Sequence, residues 1–304
     1  MAIVLQESLR AAFYAPFYAA LARGAYTAEG VEVRLASSPS PAEAATSLLA
    51  GAADVCWGGP MRVMATWQAH PGCDLVCFAE VVTRDPFLLI GRVPKPEFRM
   101  ADLLTARLGS VSEVPTPWLC LQEDLRRAGI PPEQVTRVAD RSMVENAAAL
   151  RAGTLDVVQV FEPFAAALLA EGAGHVWYAA AARGPTSYTT FYARRAVLAD
   201  KRDDLLRMVR ALHRTQGWLA GASGAEIAAT VAAYFPAVPQ PILAASYDRY
   251  QALGIWGRDP ILPPAGYERL RASLVSGGLV TSGTPFAQAV DNSLAEAILA
   301  ESRS

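Results

Sequence analysis

The chain has 304 residues, of which 52% are hydrophobic and 18% charged, and its net charge at pH 7 is −2. This composition is typical of a folded globular protein long enough for two domains, and it excludes a disordered chain. A balanced charge offers no basic face for nucleic acid, and no apolar run approaches the roughly 20 residues that span a bilayer. We therefore expect no nucleic-acid partner and no membrane insertion.

Alternating strands and helices are predicted along the first two thirds of the chain. The strands are expected at 2–8, 31–36, 54–57, 73–79, 106–112, 134–139, 156–160 and 175–181, with helices at 14–28 and 116–128 among them. From about residue 198 the pattern becomes helical, with amphipathic stretches near 202–220, 224–234, 240–253, 265–277 and 286–300. Strands that alternate with helices in this way indicate βαβ units and a parallel sheet.

An internal repeat divides these elements into two similar units. The segment 43–55 (EAATSLLAGAADV) matches 145–157 (ENAAALRAGTLDV) at an offset of 102, with seven of thirteen positions identical. Each copy is typical of a helix that ends at a glycine and is followed by a strand opening on Asp-Val. The repeat therefore predicts two α/β domains of similar topology.

Two extended segments at equivalent positions mark the crossovers between the units. They are 85–92 (DPFLLIGR) and 188–195 (YTTFYARR). The predicted architecture is a discontinuous first lobe, 1–90 plus 193–304 with the C-terminal helices, into which a second lobe, 91–192, is inserted. Two crossovers between two lobes form a hinge and a cleft.

The cleft is the expected ligand site, since ligands of open α/β sheets bind beyond the carboxyl ends of the strands. This rule selects four loops: 6–18, 57–62, 110–118 and 161–163. Together with Arg84, directly before the first crossover, and Tyr188 of the second, they provide our candidate ligand-binding residues, which are Gln6, Phe13, Tyr14, Trp57, Gly58, Gly59, Arg62, Arg84, Ser110, Ser112, Trp118, Glu162 and Tyr188.

The residue types in these loops suit a planar or anionic ligand. Aromatic rings such as Tyr14 and Trp57 stack on flat or apolar groups, whereas Phe17 and Tyr18 fit a helix core better. Arg62 and Arg84 either neutralise a carboxylate or sulfonate or have a structural or solvated role. Glu162 either accepts hydrogen bonds from a ligand N–H or pairs with an arginine across the cleft.

Hydroxyl groups cluster before the helix at 116–128. Thr116 is expected to cap this helix, with Pro117 at its first position. Hydroxyls here suit an anion or a polar ring edge, and for Ser110 and Ser112 this role is left open.

No catalytic or cofactor constellation accompanies these residues. The three histidines are scattered, and neither lysine falls on a cleft loop. Two of the cysteines lie ~13 Å apart on one predicted strand, too far for a disulfide. We expect no metal, no cofactor and four buried thiols: Cys56, Cys73, Cys77 and Cys120.

The segments 15–35 (APFYAALARGAYTAEGVEVRL) and 48–60 (LLAGAADVCWGGP) resemble the NMT1-like and alkanesulfonate-binding group of substrate-binding proteins of ABC importers. The segment 192–212 is similar to this group's second crossover and following helix. The resemblance implies the two-lobed periplasmic-binding-protein fold of type II. In pyrimidine-binding relatives, aromatic residues sandwich the ring and a glutamate contacts its amino group, roles that Tyr14, Trp57 and Glu162 would match.

The function implied by this resemblance is capture of a pyrimidine, an aromatic acid or a sulfonate for an ABC importer. The expected partners are that small molecule and the importer's membrane subunits, and the protein is expected to be a monomer. Because the N-terminus shows no signal peptide, the location is periplasmic if one was removed and cytoplasmic otherwise. A cytoplasmic enzyme acting on a small aromatic acid and a ligand sensor are the alternatives. Desulfinases of this fold use a cysteine in the first loop, and residues 6–18 contain none.

Overall fold

The computed structural model describes residues 2–38, 40–70 and 72–301. Its strands are β1 (Ile3–Glu7), β2 (Val33–Ser37), β3 (Val55–Gly58), β4 (Leu75–Val82), β5 (Leu88–Gly91), β6 (Leu108–Val111), β7 (Arg137–Arg141), β8 (Val157–Val160), β9 (His175–Ala179) and β10 (Thr189–Arg194). Its α-helices are α1 (Ala15–Ala22), α2 (Ala25–Ala28), α3 (Pro41–Leu49), α4 (Pro60–Ala69), α5 (Thr116–Arg127), α6 (Met143–Arg151), α7 (Phe164–Ala170), α8 (Arg195–Asp200), α9 (Arg202–Leu219), α10 (Gly224–Val231), α11 (Gln240–Leu253), α12 (Pro264–Ser276), α13 (Phe286–Ala289) and α14 (Ser293–Glu301).

The strands form two five-stranded sheets, one in each lobe. The sheet of lobe 1 has the order β2-β1-β3-β10-β4, and that of lobe 2 has the order β7-β6-β8-β5-β9. The helices that follow β10 contribute to the same core as lobe 1. This is the two-lobed α/β fold that the repeat and the resemblance predict.

The sheets are mixed rather than purely parallel, because each crossover strand enters the sheet of the lobe it reaches. β5 pairs antiparallel with β8 and β9, and β10 pairs antiparallel with β3 and β4. The boundaries expected at 90/91 and 192/193 therefore fall inside β5 and β10. The crossovers themselves are residues 83–87 and 180–188, and they run side by side, with the Thr186 N–H donating to the Thr83 carbonyl (2.8 Å).

The sequence repeat reflects the same local bonds in both lobes. Gly51 and Gly153 follow α3 and α6 with φ of 72° and 71°, a backbone conformation that favours glycine. The aspartates of the two Asp-Val pairs tie the third strand of each lobe to the first. Asp54 accepts a hydrogen bond from the Val4 N–H (2.8 Å), and Asp156 accepts one from the Arg107 N–H (2.9 Å).

Two predicted helices are broken in the structure, and one begins differently. The helix expected at 14–28 divides into α1 and α2 at Gly24, whose φ is 65°. The helix expected at 286–300 divides at Val290, which is extended and bridges to Cys77 of β4. Thr116 is the first residue of α5 rather than its N-cap, and Pro117 is the second.

The four cysteines are buried and free, as predicted. Within residues 2–38, 40–70 and 72–301, no helix combines the length and apolar character needed to cross a bilayer.

Candidate functional site

A cavity lies where the two lobes meet at the carboxyl ends of β1, β3 and β6. Three of the four predicted loops reach it, and the crossovers complete its wall. The lining residues are Ser8, Leu9, Phe13, Tyr14, Gly58, Gly59, Met61, Arg62, Phe87, Val114, Thr116, Tyr188 and Tyr192.

The cavity is built mainly by lobe 1. Lobe 2 contributes only Val114 and Thr116, from the loop after β6 and the start of α5, while Phe87 and Tyr188 come from the crossovers. Lobe 2 also contacts lobe 1 directly at the cavity. The ring centroid of Phe161 lies 5.2 Å from that of Phe13, at an interplanar angle of 83°. An aromatic contact therefore joins the lobes at the lining residue Phe13.

The polar groups of the cavity are Arg62 and hydroxyl groups. The Tyr188 and Tyr192 oxygens and the Arg62 Nε are buried and have no hydrogen-bond partner among the described residues. Burial raises the pKa of both tyrosines well above the usual value, so that both keep their protons and can donate. Buried donors without partners are uncommon in folded proteins and indicate a group that a ligand can satisfy.

Helix N-termini add to the positive potential of the cavity. α4 begins at Pro60 beside the lining residues Gly59 and Met61, and α5 begins at the lining residue Thr116. Neither helix has an acidic residue in its first turn. An anion at this position is stabilised by the helix dipoles in addition to the guanidinium.

The Gly58-Gly59 pair is explained by the tyrosines of the second crossover. A Cβ at Gly58 would lie 3.1 Å from Tyr192 Cε1, and one at Gly59 would lie 3.0 Å from the Tyr188 carbonyl oxygen. The two glycines thus allow these tyrosine-bearing segments to approach β3 closely.

Of the candidate ligand-binding residues, Phe13, Tyr14, Gly58, Gly59, Arg62 and Tyr188 line the cavity, and their contact with a ligand stays a prediction. The other candidates lie elsewhere, for identifiable reasons. Gln6 is buried within β1. Arg84 bonds the Ala181 carbonyl (3.3 Å) between the crossovers. Ser112 is exposed, while its N–H bonds the Arg141 carbonyl (3.1 Å).

Ser110 and Trp118 are both engaged by Arg137 rather than by the cavity. The Arg137 Nε donates to the Ser110 hydroxyl (2.7 Å), and its guanidinium lies 4.4 Å from the centre of the Trp118 ring.

Trp57 belongs to the core of lobe 1 and not to the cavity wall. Its side chain is fully buried and stacks on Phe17 with ring centroids 4.8 Å apart. β3 continues to Gly58, and the alternation along the strand turns Trp57 toward α1.

Glu162 pairs with an arginine across the lobes, which is the structural alternative considered above. Its carboxylate forms an ion pair with Arg249 of α11 and accepts a hydrogen bond from the Ala166 N–H (2.7 Å). Burial raises its pKa, which the Arg249 charge opposes. Glu162 is therefore a contact between the lobes.

The lining residues outside our list of ligand-binding candidates are Ser8, Leu9, Met61, Phe87, Val114, Thr116 and Tyr192. Five of them lie inside the predicted loops. The sequence predicts where a loop lies but not the direction in which each of its side chains points. Tyr192 and Phe87 depend on how the crossover strands pair, which no local signal reports.

The comparisons with known proteins agree with this architecture. The family model described as NMT1/THI5 like matches residues 12–222. The chain belongs to the NMT1/THI5-like family. YtlA of Bacillus subtilis (strain 168) is 23% identical over 301 residues, which cover 98% of this chain and 90% of YtlA.

Solved structures share the fold of this family member at low identity. The periplasmic aliphatic sulphonate binding protein SsuA of Escherichia coli superposes with a TM-score of 0.76 at 16% identity, covering 96% of this chain and 92% of SsuA. The desulfurization enzyme DSZB superposes with a TM-score of 0.71 at 15% identity, covering 99% and 100%. The fold thus occurs in both binding proteins and an enzyme, and the chemistry of the site has to decide between them.

Proposed function

We propose that this chain is a solute-binding protein of an ABC importer and that it captures a small organic anion in the cavity between its lobes. The observation that carries the proposal is the Arg62 guanidinium in the cavity wall, next to the free hydroxyls of Tyr188 and Tyr192. The family membership and the binding proteins among its structural neighbours support it.

An anion fits these groups better than a pyrimidine does. Of the residues expected to hold a pyrimidine, Trp57 is part of the core and Glu162 is paired with Arg249. The cavity offers donors instead, which suit the oxygens of a sulfonate or carboxylate.

A desulfinase-like reaction is the second candidate, since DSZB shares the fold. A cysteine nucleophile reacts as the thiolate, which needs a lowered pKa. None of the described residues that line the cavity is a cysteine, and the nearby Cys56 is fully buried, which raises its pKa to about 12. The site chemistry therefore supports binding over this reaction.

Thermal-shift measurements with benzenesulfonate, benzoate, 1-propanesulfonate and cytosine test the proposal. A ligand that binds only the folded state raises the melting temperature. We expect a rise with at least one of the three anions and none with cytosine. Mass spectrometry of the recovered anion should show it unchanged, and its conversion to a product would overturn the binding function.

If the protein serves an importer, it acts outside the cytoplasmic membrane, and the importer's membrane subunits are its partners. Pull-down of those subunits by the ligand-loaded protein is the corresponding check.

A further inference from the structure

The charge inside the cavity is of one sign only. Among the described residues that line it, Arg62 is basic and none is acidic. Three carboxylates lie within two residues of a lining residue in sequence, and each is engaged elsewhere. Glu7 pairs with Arg10, Asp85 pairs with Arg183, and Glu113 accepts from the Met143 N–H.

The apolar part of the wall is largely aromatic. The Tyr188 ring centroid lies 6.1 Å from that of Phe13 and 6.3 Å from that of Phe87. Leu9 and Val114 extend this hydrocarbon surface. Such a surface favours a planar or apolar group and cannot hydrogen-bond to a charged one.

We propose that the ligand is an organic monoanion whose remaining part is uncharged and apolar or aromatic, and that the cavity discriminates against zwitterions. This inference rests on the proposed function. An ammonium group in the cavity loses its hydration, finds no carboxylate and meets the like charge of Arg62. An uncharged apolar group of the same size has no such cost on entering.

Two sulfonates of equal size distinguish a ligand with an apolar tail from a zwitterion. 1-Propanesulfonate and 2-aminoethanesulfonate differ by a methyl group in place of an ammonium group, and benzenesulfonate provides an aromatic tail. Calorimetric titration of the wild-type chain at pH 7 should show 2-aminoethanesulfonate binding at least about tenfold more weakly than 1-propanesulfonate. Benzenesulfonate should bind at least as tightly as 1-propanesulfonate.

Raising the pH until the amine is deprotonated provides a second readout that size alone would not change. The deficit of 2-aminoethanesulfonate relative to 1-propanesulfonate should then shrink. Equal binding of the two at pH 7, or a deficit that persists after deprotonation, overturns this inference and leaves the proposed function standing. If neither benzoate nor any of the three sulfonates binds, the anion-binding function fails, and the inference fails with it.

Discussion

The two lobes share one repeat but differ in the segment after the third strand. In lobe 1, β3 leads through Gly58-Gly59 to α4, whose first turn has no acid and whose Arg62 lines the cavity. In lobe 2, the equivalent step from β8 to α7 carries Glu162, which accepts from the Ala166 N–H in the first turn of α7. A carboxylate of the chain itself thus occupies the helix N-terminus of lobe 2, whereas that of lobe 1 faces the cavity.

Because of this difference, we assign ligand recognition mainly to lobe 1 and the contacts that hold the lobes together mainly to lobe 2. Lobe 1 provides the cation and the free hydroxyl of Tyr192, and lobe 2 provides two lining residues and the contacts that hold the lobes together. Of the two equivalent helix N-termini, that of α7 therefore has a carboxylate of the chain as its partner, and that of α4 is available to an anionic ligand. Substitutions in lobe 1 should mainly change affinity, and those at Glu162 should mainly change stability.

The repeat aligns Trp57 of lobe 1 with Gln159 of lobe 2. Because Trp57 packs on Phe17 in the core, Trp57→Ala should lower the free energy of unfolding by about 3–5 kcal/mol, measured by urea denaturation. Trp57→Phe should be milder and should keep its affinity for benzenesulfonate. If Trp57→Ala is as stable as wild type but no longer binds, Trp57 belongs to the site after all.

Buried carboxyl groups differ between the lobes as well. Glu162 has Arg249, whereas the Oε1 of Glu80 in β4 has no hydrogen-bond partner among the described residues. Burial raises the pKa of Glu80 to about 8. The folded state then holds this proton more tightly than the unfolded state, so stability falls as the pH rises from about 4.5 to about 8.

Glu80→Gln should remove this loss, which is on the order of 5 kcal/mol at about 1.4 kcal/mol per pH unit. Urea midpoints of wild type and Glu80→Gln at pH 5 and pH 9 measure it. An equal pH dependence in both proteins would show that Glu80 is ionised throughout.

Glu162→Ala tests the closing contact of lobe 2. Removing one partner of a buried pair leaves Arg249 and the start of α7 uncompensated, and the expected cost is about 3 kcal/mol of unfolding free energy. The matched control is Glu171→Ala, which removes the exposed pair with Arg151 in the same lobe and should cost less than about 1 kcal/mol. Equal costs in urea denaturation would mean that the Glu162 pair does not hold the lobes.

Thr116→Val gives the smallest expected effect and measures how much lobe 2 contributes to ligand affinity. The substitution removes the hydroxyl from the cavity while keeping the side-chain shape. Because recognition of the anion is assigned to lobe 1, the Thr116 hydroxyl should contribute about 1 kcal/mol or less, and benzenesulfonate affinity should fall by about fivefold or less in calorimetry. A loss of a hundredfold or more would contradict the assignment of recognition to lobe 1.

The fold was largely predictable because its signals are local and repeated. Each lobe has a helix that ends at a left-handed glycine, Gly51 or Gly153, followed by a strand that opens on Asp-Val, and this repeat identifies the same topology twice. The entry of β5 and β10 into the middle of the opposite sheets was not predictable, since it depends on pairing between distant strands.

The site was predictable at the level of loops and less so at the level of side chains. The carboxyl-end rule located Arg62 and Tyr14, whereas a strand that ends one residue later than expected placed Trp57 in the core. The partner of Glu162 lies 87 residues away on a helix whose packing no local pattern reports.

The most direct test of the account is the binding of benzenesulfonate by the Arg62→Gln variant, measured by calorimetric titration. Loss of the charge should weaken binding by at least about tenfold, with an unchanged unfolding midpoint. Arg34→Gln, which removes an exposed arginine of β2, is the matched control and should bind like wild type. If Arg62→Gln binds as tightly as wild type, Arg62 is not the anion-binding group and the central claim is wrong.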